Sequence, residues 1–263
     1  MTLSERQRKY EDAFNYLITA RPIIARCTVR NFQKTVRNLP RPFDPELWRI
    51  LRETMHYTAM DVDGAILAYH YAGEINYILS NEDAFSNQLQ KIGTVLTSLT
   101  TVNFMKHFLA ADDPPDLIGE AIFETFVFAA PSLAETMNYL LWRQQTCMYS
   151  SVSAAAEAEM NKLYGPETTS QKLIGKAAGE KKDLLAQECN IKFEDRYPSF
   201  FKRGSASYKA PRIVKTPNGD LARKKWVLDT NVPDFIEDRD MIMNILHTGQ
   251  DILRPERDII SHD

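Results

Sequence analysis

The sequence has no run of 18 apolar residues, which removes the expectation of a membrane-spanning helix. Cysteine is scarce. Cys27, Cys147 and Cys189 are far apart, odd in number and in no C-x-x-C pair. That excludes a disulfide framework and a thiolate metal cluster and fits a reducing cytoplasm; each cysteine reads as a small buried apolar side chain. The histidines His56, His70, His107, His247 and His262 show no metal-ligand spacing, and no repeat or low-complexity tract is present. The opening MTLSERQRKYEDAF is charged where a secretory leader is apolar. What is there is an ordinary globular composition, 44% hydrophobic and 25% charged over 263 residues. It suits one large domain or a domain with a helical annex.

Charge is uneven. Lys172 to Lys225 carries fourteen Lys/Arg against six Asp/Glu, a local +8; with a net −3 the remainder carries −11. A basic segment on an acidic chain reads either as a phosphate-binding face or as a solvated surface.

Hydrophobic periodicity orders the chain. Residues 4–18 predict an amphipathic helix behind Ser4. RPIIARCTV predicts a strand ending near Val29. Asp44 as N-cap and Pro45 at the first helical position open a helix with Leu47, Ile50, Leu51 and Met55 on one face. GAILAYHYA and EINYILS predict one strand interrupted at Gly73, or two short ones. A long helix follows over SNQLQKIGTVLTSLTTVNFMKHFL, then a strand at AIFETFVFAA, then a helix opened by Pro131 and Ser132 that ends before a loop at YGPETTS. Beyond it lie a short helix around QKLIGKAAGEKKDLLAQE, the basic FFKRGSASYKA, a hairpin turning at Asn218-Gly219, and a last helix over DRDMIMNILH. Strand–helix–strand–helix–strand order predicts an α+β fold: a ferredoxin-like palm with two helices packed on one face of a mostly antiparallel sheet, in which Ile23–Cys27 lies beside Ile66–Tyr71 and brings Thr28 near Gly73. Its boundaries fall at 1–165 for the palm with its N-terminal helix and 166–263 for a helical and hairpin region.

A palm that transfers nucleotides needs carboxylates at two strand ends to hold Mg²⁺, and backbone N–H groups in the turn after the first strand to cradle phosphates. The residues at those places carry a resemblance. Arg26, Arg30, Asn31 and Phe32 in the first strand and turn, KIGTVLTSLTTVNF with Lys91 and Ser98, NYLLWRQQ, FFKRGSASYK with Lys202, Arg203 and Gly204, and WVLDTNVPDFIEDRD resemble the tRNA-histidine guanylyltransferase family, including its 3′-to-5′ polymerising relatives. The resemblance implies nucleotide binding through Arg30, Asn31, Phe32, Lys91 and Ser98. It also implies tRNA or other RNA as partner and a homo-oligomer, a tetramer built from dimers. Lys202, Arg203, Lys209, Arg223, Lys224 and Lys225 are the candidate RNA contacts.

The departures are as informative. Where the family ends its first strand in Asp-Gly, this chain has Thr28-Val29; where its second motif has Asp before Glu, this chain has Gly73 before Glu74. Those aspartates are the family's metal ligands, so the resemblance implies lost metal binding, with Glu74 a relic, an ion-pair partner or a residual ligand. Asp61 and Asp63 are candidate replacements or simply a turn. WRQQ is followed by TCMYSS instead of an acidic and polar-basic motif, and Thr125-Phe126 stands for Gly-Arg. Three readings stay open: a non-catalytic relative that binds tRNA, another RNA or a nucleotide; an active nucleotidyltransferase using Mg²⁺ with GTP or ATP; and a scaffold or inhibitory module. The first needs no cofactor.

Overall fold

A computed structural model describes residues 22–80, 84–216 and 219–249, with side chains described outside 84 and 212–223. The helix expected over residues 4–18, and Asn218, lie outside the described residues. The elements are β1 (Ile23–Val29), the one-turn α1 (Phe32–Thr35), α2 (Pro45–Asp61), β2 (Ala65–Tyr71), β3 (Glu74–Leu79), α3 (Leu89–Leu109), β4 (Phe123–Ala129), α4 (Leu133–Leu173), α5 (Ala178–Cys189), the short α6 (Phe193–Arg196) and α7 (Ser199–Arg203), β5 (Ser205–Thr216), β6 (Gly219–Asp229) and α8 (Arg239–Thr248).

Local chemistry sets the helix starts. The Asp44 carboxylate accepts from the Leu47 N–H at 2.7 Å, ahead of Pro45 in the first turn of α2. Ser132 accepts from the Glu135 N–H at 3.2 Å and caps α4. The loop expected at YGPETTS is instead helical apart from Gly165, whose φ of 75° bends α4. Pro166 then opens the second helical piece, where its missing N–H has no partner to lose.

The six strands form one antiparallel sheet in the order β4-β1-β3-β2-β5-β6, the expected α+β palm extended by the C-terminal hairpin. One pairing differs from the sequence reading. Ile23–Cys27 lies beside β3, not beside Ile66–Tyr71, because β2 and β3 form a tight hairpin and its return strand, β3, is the one that lies between β1 and β2. Thr28 nevertheless meets the turn: it pairs with Glu74, and the Val29 N–H donates to the Gly73 carbonyl at 2.8 Å. The 165/166 division falls at the α4 bend, and β5 pairs directly with β2.

Strand alternation sorts residues to two faces. Ile23, Ala25, Cys27, Ile75 and Tyr77 bury against α2 and α3, where Leu51, Met55, Ile92 and Leu96 close one core. Ile24, Ile78, Leu67 and Tyr69 bury against α4 and α8, meeting Met137, Leu140, Met241 and Ile245 in a second. Both faces are thus covered, where the sequence predicted helices on one. A third, aromatic cluster of Trp48, Phe193, Tyr197 and Phe201 ties α2 to α4, α6 and α7. Burial pushes the Cys27 thiol up to about 11 and the Cys147 thiol up to about 12, which disfavours the thiolate at both.

His70 is fully buried on β2 and its Nε2 donates to the Ala72 carbonyl at 2.8 Å. Burial lowers its pKa to about 3; the Ala72 bond opposes this and the charge of Arg52 adds to it. The unfolded chain therefore binds a proton near pH 6.5 that the folded chain refuses. The stability contributed is complete above that pH and is lost as the pH falls towards 3. Between pH 7.5 and 5, wild type should lose about 2 kcal/mol more than His70→Gln in urea unfolding, at about 1.4 kcal/mol per unit. Equal losses would show that His70 titrates normally.

Candidate functional site

The end of β1 is tightly framed. The Arg30 N–H donates to the Ile122 carbonyl at 2.8 Å. Asn31 then takes a left-handed φ of 54°, and its carbonyl accepts from Lys34 and Thr35 to start α1. That turn throws Phe32 back over the β2–β3 hairpin. Gly73 does not supply the hairpin's left-handed residue; Ala72 does, at φ 48°. Gly73 is needed for room: a Cβ there would lie 2.4 Å from Phe32 Cδ2 and 2.5 Å from Cγ. The phenyl ring occupies the place from which a side chain at 73 would project.

Glu74 has partners of its own. Arg143 from α4 donates Nε to Glu74 Oε1 at 2.8 Å and Nη2 to Oε2 at 2.9 Å, a forked pair, and also donates to the Tyr71 hydroxyl. The Asn76 amide donates to Glu74 Oε1 at 2.9 Å, and Tyr139 donates to Asn76. Both charged side chains are nearly buried, 7% exposed for Arg143 and 12% for Glu74. Burial works against the Arg143 charge, but Glu74 and the tyrosines beside it raise its pKa above the ordinary value.

A divalent cation among phosphates needs anionic oxygens. Thr28 offers a neutral one, Gly73 none, and Glu74 is committed to Arg143. Among the described residues no three His, Cys, Asp or Glu side chains converge on one point. The residues present do not fit the metal that the sequence resemblance implies. Asp61 and Asp63 lie before β2, at the far end of the hairpin from Gly73, about 20 Å away at some 3.4 Å per strand residue; Asp61 accepts from Asn103 at 3.4 Å. Besides Glu74 on β3, the acid in register with Thr28 is Glu124 on β4, which the sequence reading missed.

The other expected residues divide. Arg30 and Asn31 are exposed beside Phe32. Lys91 and Ser98 lie on α3, on the opposite face; Gly93 sits against Val127 and Phe104 against Phe123, which places Lys91 towards the end of the sheet remote from Thr28. Lys202 is held by Glu194, through the carbonyl at 2.5 Å and the carboxylate at 3.3 Å. Arg203 donates to Ser199 at 3.0 Å. Gly204, at φ 80°, lets the chain pass Tyr69, whose hydroxyl oxygen would stand 2.5 Å from a Cβ there. Lys209 lies over the Trp226 ring at 5.4 Å, and Lys224 and Lys225 are exposed on the outer strand β6, across the sheet from Thr28. The Arg223 side chain lies outside the described residues.

Next to Phe32 opens a cleft of about 600 Å³ between the α1–α2 connection, the β2–β3 turn and α4. Phe32, Phe43 and Tyr149 wall it; Asp44, Ser150 and Asn161 line it with polar groups. Arg41 is at its edge; Arg37 is exposed on the same connection, Lys34 on α1 and Arg30 in the turn before it. Among the described residues none of these four cations forms an ion pair with a carboxylate. Residues 22–43 hold five Lys/Arg and no Asp/Glu, a signal overshadowed by the larger count from Lys172 onward.

Residues 4–131 match the family model described as tRNAHis guanylyltransferase. Among solved structures, a bacterial tRNA(His) guanylyltransferase-like protein in complex with ATP aligns at TM-score 0.75 and 27% identity, over 93% of this chain and 99% of that one. Together these likenesses support membership of the tRNAHis guanylyltransferase family. A bacterial family member in complex with GTP aligns at TM-score 0.70 and 25% identity with the same coverage. The curated tRNA(His) guanylyltransferase of Saccharomyces cerevisiae is 27% identical over 167 residues, 57% of this chain and 65% of that protein. The Candida glabrata guanylyltransferase is 24% identical over 61% of its length, so the chain spans under two thirds of these fungal relatives.

Proposed function

We propose that this member of the tRNAHis guanylyltransferase family is a non-catalytic protein that binds tRNA or another RNA, together with a purine nucleoside triphosphate. One observation carries the reading: Phe32 fills the space in front of Gly73 and Arg143 neutralises the adjacent Glu74, while a cleft edged by Arg41 stays open beside them. Aromatic walls suit a base, Asp44 offers an acceptor for an exocyclic amine, and Arg30, Lys34, Arg37 and Arg41 suit phosphates. Relatives in complex with ATP and GTP add weight. Phosphoryl transfer draws most of its transition-state stabilisation from metal and positioned donors, so no turnover is expected. A cytoplasmic location, in keeping with the free cysteines, and a homotetramer belong to the same reading; exposed Val102, Met105 and Leu109 on α3 are candidate subunit contacts.

Incubation with labelled GTP or ATP, Mg²⁺ and tRNA should show retention and no incorporation. Incorporation that EDTA abolishes would overturn the reading in favour of an active enzyme, and Glu124→Gln would then be the next variant. No retention of tRNA or nucleotide would favour the scaffold reading. Retention of tRNA should weaken with salt. Replacing Arg30, Arg37 and Arg41 by alanine should flatten the log–log slope by about 2–3, at roughly 0.7–0.9 per phosphate contact. Replacing Lys209, Lys224 and Lys225 tests the outer hairpin in the same way, and the larger change in slope identifies the RNA face.

A further inference from the structure

Aromatic side chains on a folded surface normally bury their rings. Here several do not. Register puts Phe126 and Phe128 of β4 opposite Arg26 and Ile24, on the sheet face that carries Thr28 and Glu74. Phe126 is 52% exposed, and Trp142 and Tyr149 on α4 are 53% and 61% exposed. Trp142 and Tyr149 are seven residues apart, two helical turns, so they share one side of α4 about 10 Å apart. Phe128 and Trp142 both make edge contacts with Tyr139, which joins the strand to the helix. The strip therefore runs from the β4 edge along α4 to the cleft, which Tyr149 lines.

Two guanidiniums lie over rings of the strip, one at its β4 end and one midway. Arg26 lies over the Phe126 ring at 5.2 Å and Arg143 over Trp142 at 4.4 Å. Arg143 is neutralised by Glu74. Arg26 forms no ion pair among the described residues, and its buried Nε has no partner there. Arg26 also belongs to the acid-free run of cations that continues through Arg30 and Lys34 to Arg41.

We infer that Phe126, Trp142 and Tyr149, with Arg26, form a stacking track for the bases of a single-stranded RNA segment whose phosphates follow the cations towards the cleft. The inference rests on the RNA-binding reading and gives it a surface and a strandedness. Every base has a π face, so such a track accepts bases without reading their edges. A stacked strand rises about 3.4 Å per nucleotide, so the 10 Å from Trp142 to Tyr149 spans about three steps. Unbalanced cations beside the aromatics favour a polyanion over an apolar partner, which would leave Arg26 desolvated and unpaired.

The test is fluorescence anisotropy with a labelled ten-nucleotide single-stranded RNA, its abasic counterpart and a blunt RNA duplex. Phe126→Ala should weaken binding of the single strand at least about fivefold, as should Trp142→Ala, the lower end of what one lost stack contributes. Trp142→Phe should restore it. The abasic strand should bind wild type about as weakly as the Phe126→Ala/Trp142→Ala double variant binds the intact strand, and duplex binding should not respond to the variants. The half-exposed Phe126 makes that variant safe for folding, which circular dichroism checks. Equal affinities for wild type and variants, or for intact and abasic strands, overturn the track and leave the RNA-binding reading standing. No binding of any RNA by wild type overturns both. A wild-type oligomer that Phe126→Ala converts to monomer, by light scattering, makes the strip an interface between copies and also overturns the track.

Discussion

Glu74→Ala is expected to cost roughly 3–5 kcal/mol of unfolding free energy, the usual result of leaving one member of a buried ion pair uncompensated. Arg143 would keep its charge in a site only 7% exposed, with Tyr71 and Trp142 around it and no carboxylate. The Asn76 amide would lose its nearer acceptor as well, keeping only the Tyr69 carbonyl at 3.5 Å. Arg143→Met alone should cost a similar amount, because Glu74 would then be the stranded charge. The double variant Glu74→Ala/Arg143→Met should be clearly more stable than the sum of the single losses, since neither charge remains. Urea unfolding of the four proteins gives the coupling directly. A loss under about 1 kcal/mol for Glu74→Ala, in the range of exposed pairs, would mean that the pair is loose and that Glu74 is free to serve a cation. The expected outcome makes Glu74 a structural residue of the α4–sheet contact.

The second large effect concerns restoring metal ligands. Thr28→Asp/Gly73→Asp should bind Mn²⁺ no more tightly than wild type, because the new carboxylate at position 73 would have to enter the space of the Phe32 ring, with its Cβ 2.4 Å from the ring's nearest carbon. Overpacking of this kind typically costs about 1–3 kcal/mol of stability. Adding Phe32→Ala should recover that loss and free both carboxylates. Calorimetry should then show Mn²⁺ affinity at least about tenfold above wild type, on the order of what even an outer-shell ligand partner contributes. Gly73→Ala with and without Phe32→Ala isolates the steric part: the first should be destabilised and the second relieved. If Thr28→Asp/Gly73→Asp alone gains Mn²⁺ affinity without losing stability, Phe32 swings away freely and does not close the site. Val29 and Thr146 are the next positions to revert only if metal binding returns without nucleotide addition.

Much of this was legible in the sequence. Asp44-Pro45 and Ser132 announced their helices because a cap is a contact between residues three apart. The alternation in IIARCTV and EINYIL announced strands because pleating separates neighbours to opposite faces whatever the fold. The meeting of Thr28 with Gly73 was expected from the order of motifs and is found, although β3, not β2, is the neighbour of β1. The helical loop after Gly165 was misread because Gly-Pro punctuates a helix as readily as it ends one.

What the sequence by itself determined is the inventory and the absences: strands and helix starts, the likeness to the guanylyltransferases, and the lack of an acid at residues 28 and 73. What only the tertiary structure decided is why those absences hold together. Phe32 reaches Gly73 through a left-handed Asn31 and a hairpin 41 positions along the chain; Arg143 reaches Glu74 across 69 residues. Neither contact leaves a local period or spacing to read. Each depends on which strand enters the sheet beside which, and that choice is made by burying two faces at once, a property of the whole chain and not of any window within it.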